Sequence, residues 1–128
     1  MEIQTTNGIT ITVETQYLPN HSDPRGGRFV FGYQITIKNG NDYAVQLLRR
    51  HWFIHDACGT VREVEGEGVV GLQPVLQPGG YHRYASFCDL KTDLGKMLGT
   101  FLLTRLDEDT NFDVPVPQFR LCMPAKLN

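Results

Sequence analysis

Gly66-Glu67-Gly68-Val69-Val70-Gly71-Leu72-Gln73-Pro74-Val75-Leu76-Gln77-Pro78-Gly79-Gly80 is the stretch on which the fold turns. Its first six residues match G-x-G-x-x-G. In a βαβ unit that pattern opens a helix and aims backbone N–H groups at a pyrophosphate. Here the nine residues that follow hold two prolines and two glycines, a composition that cannot begin a helix of useful length. Glu63, Glu65 and Glu67 would also repel phosphate. Asp89 lies near the spacing of a ribose-binding acid, but a chain with 14 acidic residues offers such a match by chance. The segment therefore reads as a loop that needs glycine for positive φ or for close backbone approach. Gly66, Glu67, Gly68, Val69, Val70 and Gly71 form the candidate loop for contacting a partner, or for holding an anion weakly in a nest of N–H groups.

Around this loop the hydrophobic period is two. Ile9, Ile11 and Val13 alternate with Thr10, Thr12 and Glu14, and Phe29, Phe31, Tyr33, Ile35 and Ile37 alternate with Gly32, Gln34, Thr36 and Lys38. Further strands are expected over 43–55, 60–64, 81–88, 96–106 and 112–121. Asp23-Pro24-Arg25-Gly26-Gly27, Asn39-Gly40-Asn41-Asp42, Pro78-Gly79-Gly80 and residues 107–111 supply the turns. Residues 93–98 allow one helical turn at most. The pattern predicts an all-β sandwich of about seven to eight strands, formed by one domain over 1–128. On the strand over 43–55, Leu48, Trp52 and Ile54 share one face, with Trp52 as a core anchor; Arg49, His51, Phe53 and His55 share the other. Pro115 and Pro117 lack N–H donors, which makes the last strand an edge or irregular strand.

Composition removes several function classes. A net charge of −2 gives no basic footprint for nucleic acid. No apolar run is long enough to insert in a membrane, and the N-terminus carries no signal-peptide pattern. Three cysteines, Cys58, Cys88 and Cys122, do not make a secreted disulfide scaffold, so the cytoplasm is the expected compartment. His51 and His55 sit four residues apart on a strand, about 13 Å, and cannot share one small ion. Ser86 and His82 stand at the same separation, outside general-base reach. No catalytic, cofactor or metal site is assigned from the residues; Asp107-Glu108-Asp109 is no more than an acidic turn.

Arg50-His51-Trp52-Phe53-Ile54, Val64-Glu65-Gly66-Glu67-Gly68-Val69-Val70-Gly71, Gln73-Pro74-Val75-Leu76 and Pro78-Gly79 together resemble the ApaG family. Gly99-Thr100-Phe101, the run from Phe112 to Leu121, and Ile9-Thr10-Ile11-Thr12-Val13 extend the resemblance over nearly the whole chain. It implies a fibronectin type III or immunoglobulin-like sandwich, a binding or interaction role without catalytic residues, and an association with cobalt and magnesium efflux. Leu72 stands where that pattern has an acidic residue, and Ala85-Ser86-Phe87-Cys88-Asp89 replaces a Thr-Ser-Gly-rich stretch. The expectation is a non-catalytic module with a protein partner. The alternative is a weak nucleotide or pyrophosphate binder, or a hydrolase of such substrates. Divalent-cation binding, if present, would be weak.

Overall fold

The computed structural model describes residues 1–124, and the alternating segments become two antiparallel sheets. The first sheet has the order β1 (Glu2–Thr6), β2 (Ile9–Tyr17), β3 (Phe29–Asn39), β7 (Tyr81–Leu90). The second has the order β5 (Val61–Glu67), β4 (Val45–Asp56), β8 (Leu94–Arg105), β9 (Thr110–Cys122), and the two-residue strand β6 (Val75–Leu76) pairs with β4. Sheets β2-β3-β7 and β5-β4-β8-β9 form a fibronectin type III-like, immunoglobulin-like sandwich. β1 and β6 are the two strands beyond the seven read from periodicity. Residues 93–98 are not helical; β8 begins at Leu94.

The core lies between the sheets. Ile9, Ile11, Val13, Ile35 and Ile37 meet Val45, Leu47, Phe101, Leu103 and Leu121, all essentially inaccessible to water. Burying each such side chain stabilises the fold by roughly 1.5–3 kcal/mol. Trp52 is the anchor expected, 3% exposed. Its ring stands 5.9 Å from those of Tyr33 in one sheet and of Phe101 and Phe119 in the other.

Two bulges correct the face assignments. Opposite β8, the register of β4 slips between Leu47 and Arg49, so Leu48 is an extra residue. Val45 and Leu47 are buried before it, Trp52 and Ile54 after it, and Leu48 itself is only half-buried. The core face therefore holds Leu47, not Leu48, with Trp52 and Ile54. In β9 the register slips opposite Met97 and Gly99, and Pro117 falls inside the irregularity. Pro115 is exposed and Pro117 buried, although plain alternation places them on one face. β9 is an edge strand and an irregular one, as its prolines require.

The two sheets do not meet equally on both sides. β9 runs against β1 and β2, which closes one side of the sandwich. On the other side β5 and β7 are edge strands, bridged by Arg62, which pairs with the Asp89 carboxylate at 3.4 Å and also reaches the Asp89 carbonyl. That side stays open.

Candidate functional site

The glycine segment sits at this open side. Gly66 and Glu67 belong to the end of β5, which corrects the reading of the whole cluster as loop. Gly66 is directly opposite Arg50 on β4, and a β-carbon there would lie 3.1 Å from Arg50 Nη1. Its missing side chain makes room for the guanidinium, which donates to the carbonyls of Glu67 at 3.0 Å and Gly68 at 3.1 Å. Gly68 has φ +63 and is buried. Val69 and Leu72 exchange two backbone hydrogen bonds, of 2.8 and 3.0 Å, around Val70 (φ 47) and Gly71 (φ 76). This is the geometry of a two-residue hairpin turn with both central residues left-handed. Val69 is buried in the core, whereas Val70 is 62% exposed.

The bulge at Leu48 is where this turn is fastened. The Leu48 carbonyl accepts from Gly68 N–H at 2.8 Å and from Gln73 Nε2 at 3.0 Å. An anion nest would need the N–H groups of Gly66–Gly71, of which those of Gly68 and Val69 are engaged by backbone carbonyls.

Below the turn a cleft of about 350 Å³ enters the sandwich between β5 and β7. Trp52, Tyr33 and Met97 form its apolar base. One wall is Arg62 and Val64 of β5; the other is Tyr84, Ser86 and Cys88 of β7; Val70 and Phe87 stand at the rim. A larger and more open hollow of about 540 Å³ lies over Gly32 and Gln34 on the outside of the first sheet, but Glu14 is its one charged residue. The cleft between β5 and β7 combines cations, hydroxyls and apolar surface, the mixture expected of a ligand site.

The inward face of β7 explains that mixture. His82, Tyr84, Ser86 and Cys88 alternate inward along an edge strand that the short β5 does not fully cover. Burial raises the pKa of the Tyr33 phenol, and the neighbouring Ser86 hydroxyl acts in the opposite sense. Burial and the nearby Tyr33 push the Tyr84 phenol well above its ordinary range, against the pull of Arg50. The Tyr84 hydroxyl is inaccessible and has no hydrogen-bond partner among the described residues. Burial also pushes the Cys88 thiol up to about 11, although Arg62 beside it acts in the opposite sense. That thiol is not poised as a nucleophile. His82 stacks on Tyr84 with ring centroids 6.2 Å apart.

The outer face of β4 and β5 carries a second arrangement. His51 and His55 remain apart, but His51 is opposite Glu65 and diagonal to Glu63, with Nε2 2.6 Å from the Glu63 carboxylate. Potential ligand atoms of His51, Glu63 and Glu65 all lie within 4.8 Å of one another. Sequence spacing hides this set because it is made by strand pairing. One imidazole and two carboxylates suit first-row divalent metals better than Mg²⁺.

Arg50, Arg62, Tyr33 and Tyr84 escape a reading of short motifs. The available signal is the unusually polar inward face of the strand over 81–88. Among the described residues, no helix is long and apolar enough to cross a membrane, and Cys58, Cys88 and Cys122 are free thiols.

Fold and site define a small sandwich module of the fibronectin type III kind, with one lateral mouth open. Comparison with known proteins narrows this class. Residues 19–105 match the family model described as the ApaG domain, and the chain belongs to the ApaG family. It is 51% identical over 121 residues to Protein ApaG of Acidithiobacillus ferrooxidans, covering 94% of each chain. Its identity to Protein ApaG of Anaeromyxobacter dehalogenans is 44% over 128 residues, all of both chains. Among solved structures, the putative ApaA protein of Bordetella pertussis superimposes with a TM-score of 0.88 at 40% identity, covering 91% of this chain and 94% of that one.

Proposed function

We propose that the protein is a non-catalytic binding module that engages a protein partner through the open mouth between β5 and β7. The observation that carries this reading is the apolar rim around a polar cleft. Val70 is 62% exposed and Phe87 74% exposed, and both line the entrance, with Leu72 at the base of the same turn. Exposed apolar groups around a concave site favour partner contact. The family resemblance supports an interaction role, and the free thiols support action in the cytoplasm. A nucleotide or pyrophosphate ligand is better served by the cations of the same cleft, since the Gly68 and Val69 amides of the glycine segment are already engaged.

The test is affinity capture from lysate by the full chain, in parallel with the double variant Val70→Asp, Phe87→Asp. Both positions are exposed, so the variant keeps the core. A partner retained by the native chain and lost by the variant is expected. Recovery of every partner by both chains contradicts the reading.

The His51, Glu63 and Glu65 cluster favours a second reading, a role in divalent-cation homeostasis consistent with the efflux association of the family. Manganese-induced broadening centred on these three residues supports it. Uniform weak broadening over all surface carboxylates opposes it.

A further inference from the structure

Among the described residues, the cleft has a hydroxyl without an acceptor and a cation without a carboxylate. Tyr84 is fixed on β7 opposite Ile35, and its hydroxyl is inaccessible and unpartnered. A buried hydroxyl without an acceptor is costly, and native proteins leave few of them. Across the cleft, Arg50 uses Nη1 on the Glu67 and Gly68 carbonyls, and no carboxylate lies within 4.0 Å of it among the described residues. Carbonyl oxygens hold a guanidinium in place without neutralising it.

Arg62, the other cation lining the cleft, differs in this respect. It is paired with Asp89, so the two together leave the local charge unchanged and Arg50 gives the cleft one net positive charge. Around these polar groups the surface is apolar and aromatic, with Trp52 at the base and Val64 and Val69 beside it.

We propose that the cleft binds an oxyanion, a carboxylate or phosphoryl group, carried on an apolar or aromatic body. The oxyanion accepts from the Arg50 guanidinium, and from the Tyr84 hydroxyl once the edge strands β5 and β7 part enough to uncover it, while the apolar body packs towards Trp52. This rests on the cleft being the functional site, but not on the partner being a protein. The same chemistry is presented by a small aromatic acid or by an acidic or phosphorylated side chain beside a hydrophobic one.

Trp52 is the only tryptophan of the chain and lies in the cleft, so its fluorescence reports occupancy directly. The probes are benzoate, phenyl phosphate and the uncharged isostere benzamide, titrated into the full chain. Benzoate or phenyl phosphate is expected to perturb Trp52 with a Kd of about 1 mM or tighter. Benzamide is expected to bind at least tenfold more weakly, and the tighter of the two anions identifies which oxyanion the site prefers. Tyr84→Phe keeps the ring and the fold, and should weaken the anion about tenfold without lowering Tm. Arg50→Lys keeps the charge but loses the planar fork, and should also weaken it. Benzamide binding as tightly as the anions overturns the proposal. So does an absence of any Trp52 response to either anion, or an unchanged anion affinity in Tyr84→Phe. Anion binding that fails while partner capture still depends on Val70 and Phe87 would remove the oxyanion chemistry and leave the interaction module intact.

Discussion

Gly68→Ala and Gly71→Ala make the same chemical change three residues apart, yet the structure demands unequal costs. Both glycines are left-handed, with φ +63 and φ +76. Each alanine therefore carries backbone strain of about 1–2 kcal/mol. At Gly71 that is the whole effect, because an added β-carbon meets nothing within 4 Å. At Gly68 the same atom would sit 2.2 Å from the Leu72 carbonyl oxygen. That oxygen accepts from Val69 N–H at 2.8 Å, so moving it opens the turn. Losing the hydrogen bond and shifting buried backbone together add ~2–3 kcal/mol. The expected losses are about 4 kcal/mol for Gly68→Ala and ~1–2 kcal/mol for Gly71→Ala. Urea unfolding followed by Trp52 fluorescence measures both, with a common m-value if the unfolded states are alike. Equal losses would refute the assignment of separate physical roles within the glycine cluster.

Other consequences can be measured on the same footing. Val70 is a β-branched residue at φ 47 in a turn that prefers asparagine, and its side chain is largely exposed, so Val70→Asn should stabilise by about 0.5–1 kcal/mol in the same unfolding assay. Asn39 is fully buried, donates to the Tyr43 and Leu76 carbonyls at 2.8 and 3.1 Å, and accepts from Asn41 N–H at 3.0 Å; Asn39→Ala should lower stability by about 3 kcal/mol. Burial works to raise the Asp56 pKa, but the Thr92 hydroxyl and the Lys91 amide outweigh it, and the carboxyl titrates below its ordinary value. Its stabilisation is complete above the unfolded carboxylate range and is lost as pH falls through the lower folded value. Asp56→Asn should therefore be less stable at neutral pH and show a shallower loss of stability below about pH 4, as read from Tm against pH.

Much of the fold is legible in the sequence because half-buried strands write their burial at period two. Ile9 to Val13 and Phe31 to Ile37 do so without interruption, and both become strands with the inward faces expected; at the start of β3, Val30 is buried as well and Phe29 only partly. Leu48 shows where that reasoning stops. An extra residue in a strand reverses the phase of everything after it, and two adjacent leucines fit either phase. The bulge is fixed by donors from the glycine turn, Gly68 N–H and Gln73 Nε2, far along the chain. β1 escapes because its outward residues leave no apolar alternation; Ile3 is 64% exposed.

The candidate site is legible only in outline. Pro74 and the residues after it remove the dinucleotide reading, and the glycine segment does stand at the mouth of a cleft. The cleft itself depends on β5 and β7 being edges on the same side of the sandwich, which is a property of topology. Arg50 meets Gly66, and His51 meets Glu65 and Glu63, only because β4 and β5 pair in one register. Short-range spacing contains no trace of such pairs.

An oxyanion on an apolar body is expected to enter between β5 and β7. Backbone amide shift mapping of the full chain with benzoate and phenyl phosphate tests it most directly. Localised changes are expected at Trp52 and Val64, along Tyr84 to Cys88, and through Gly66 to Gly71. Changes centred instead on the opposite face of the β4–β5 pair around His51, or none at any position with either anion, would contradict it.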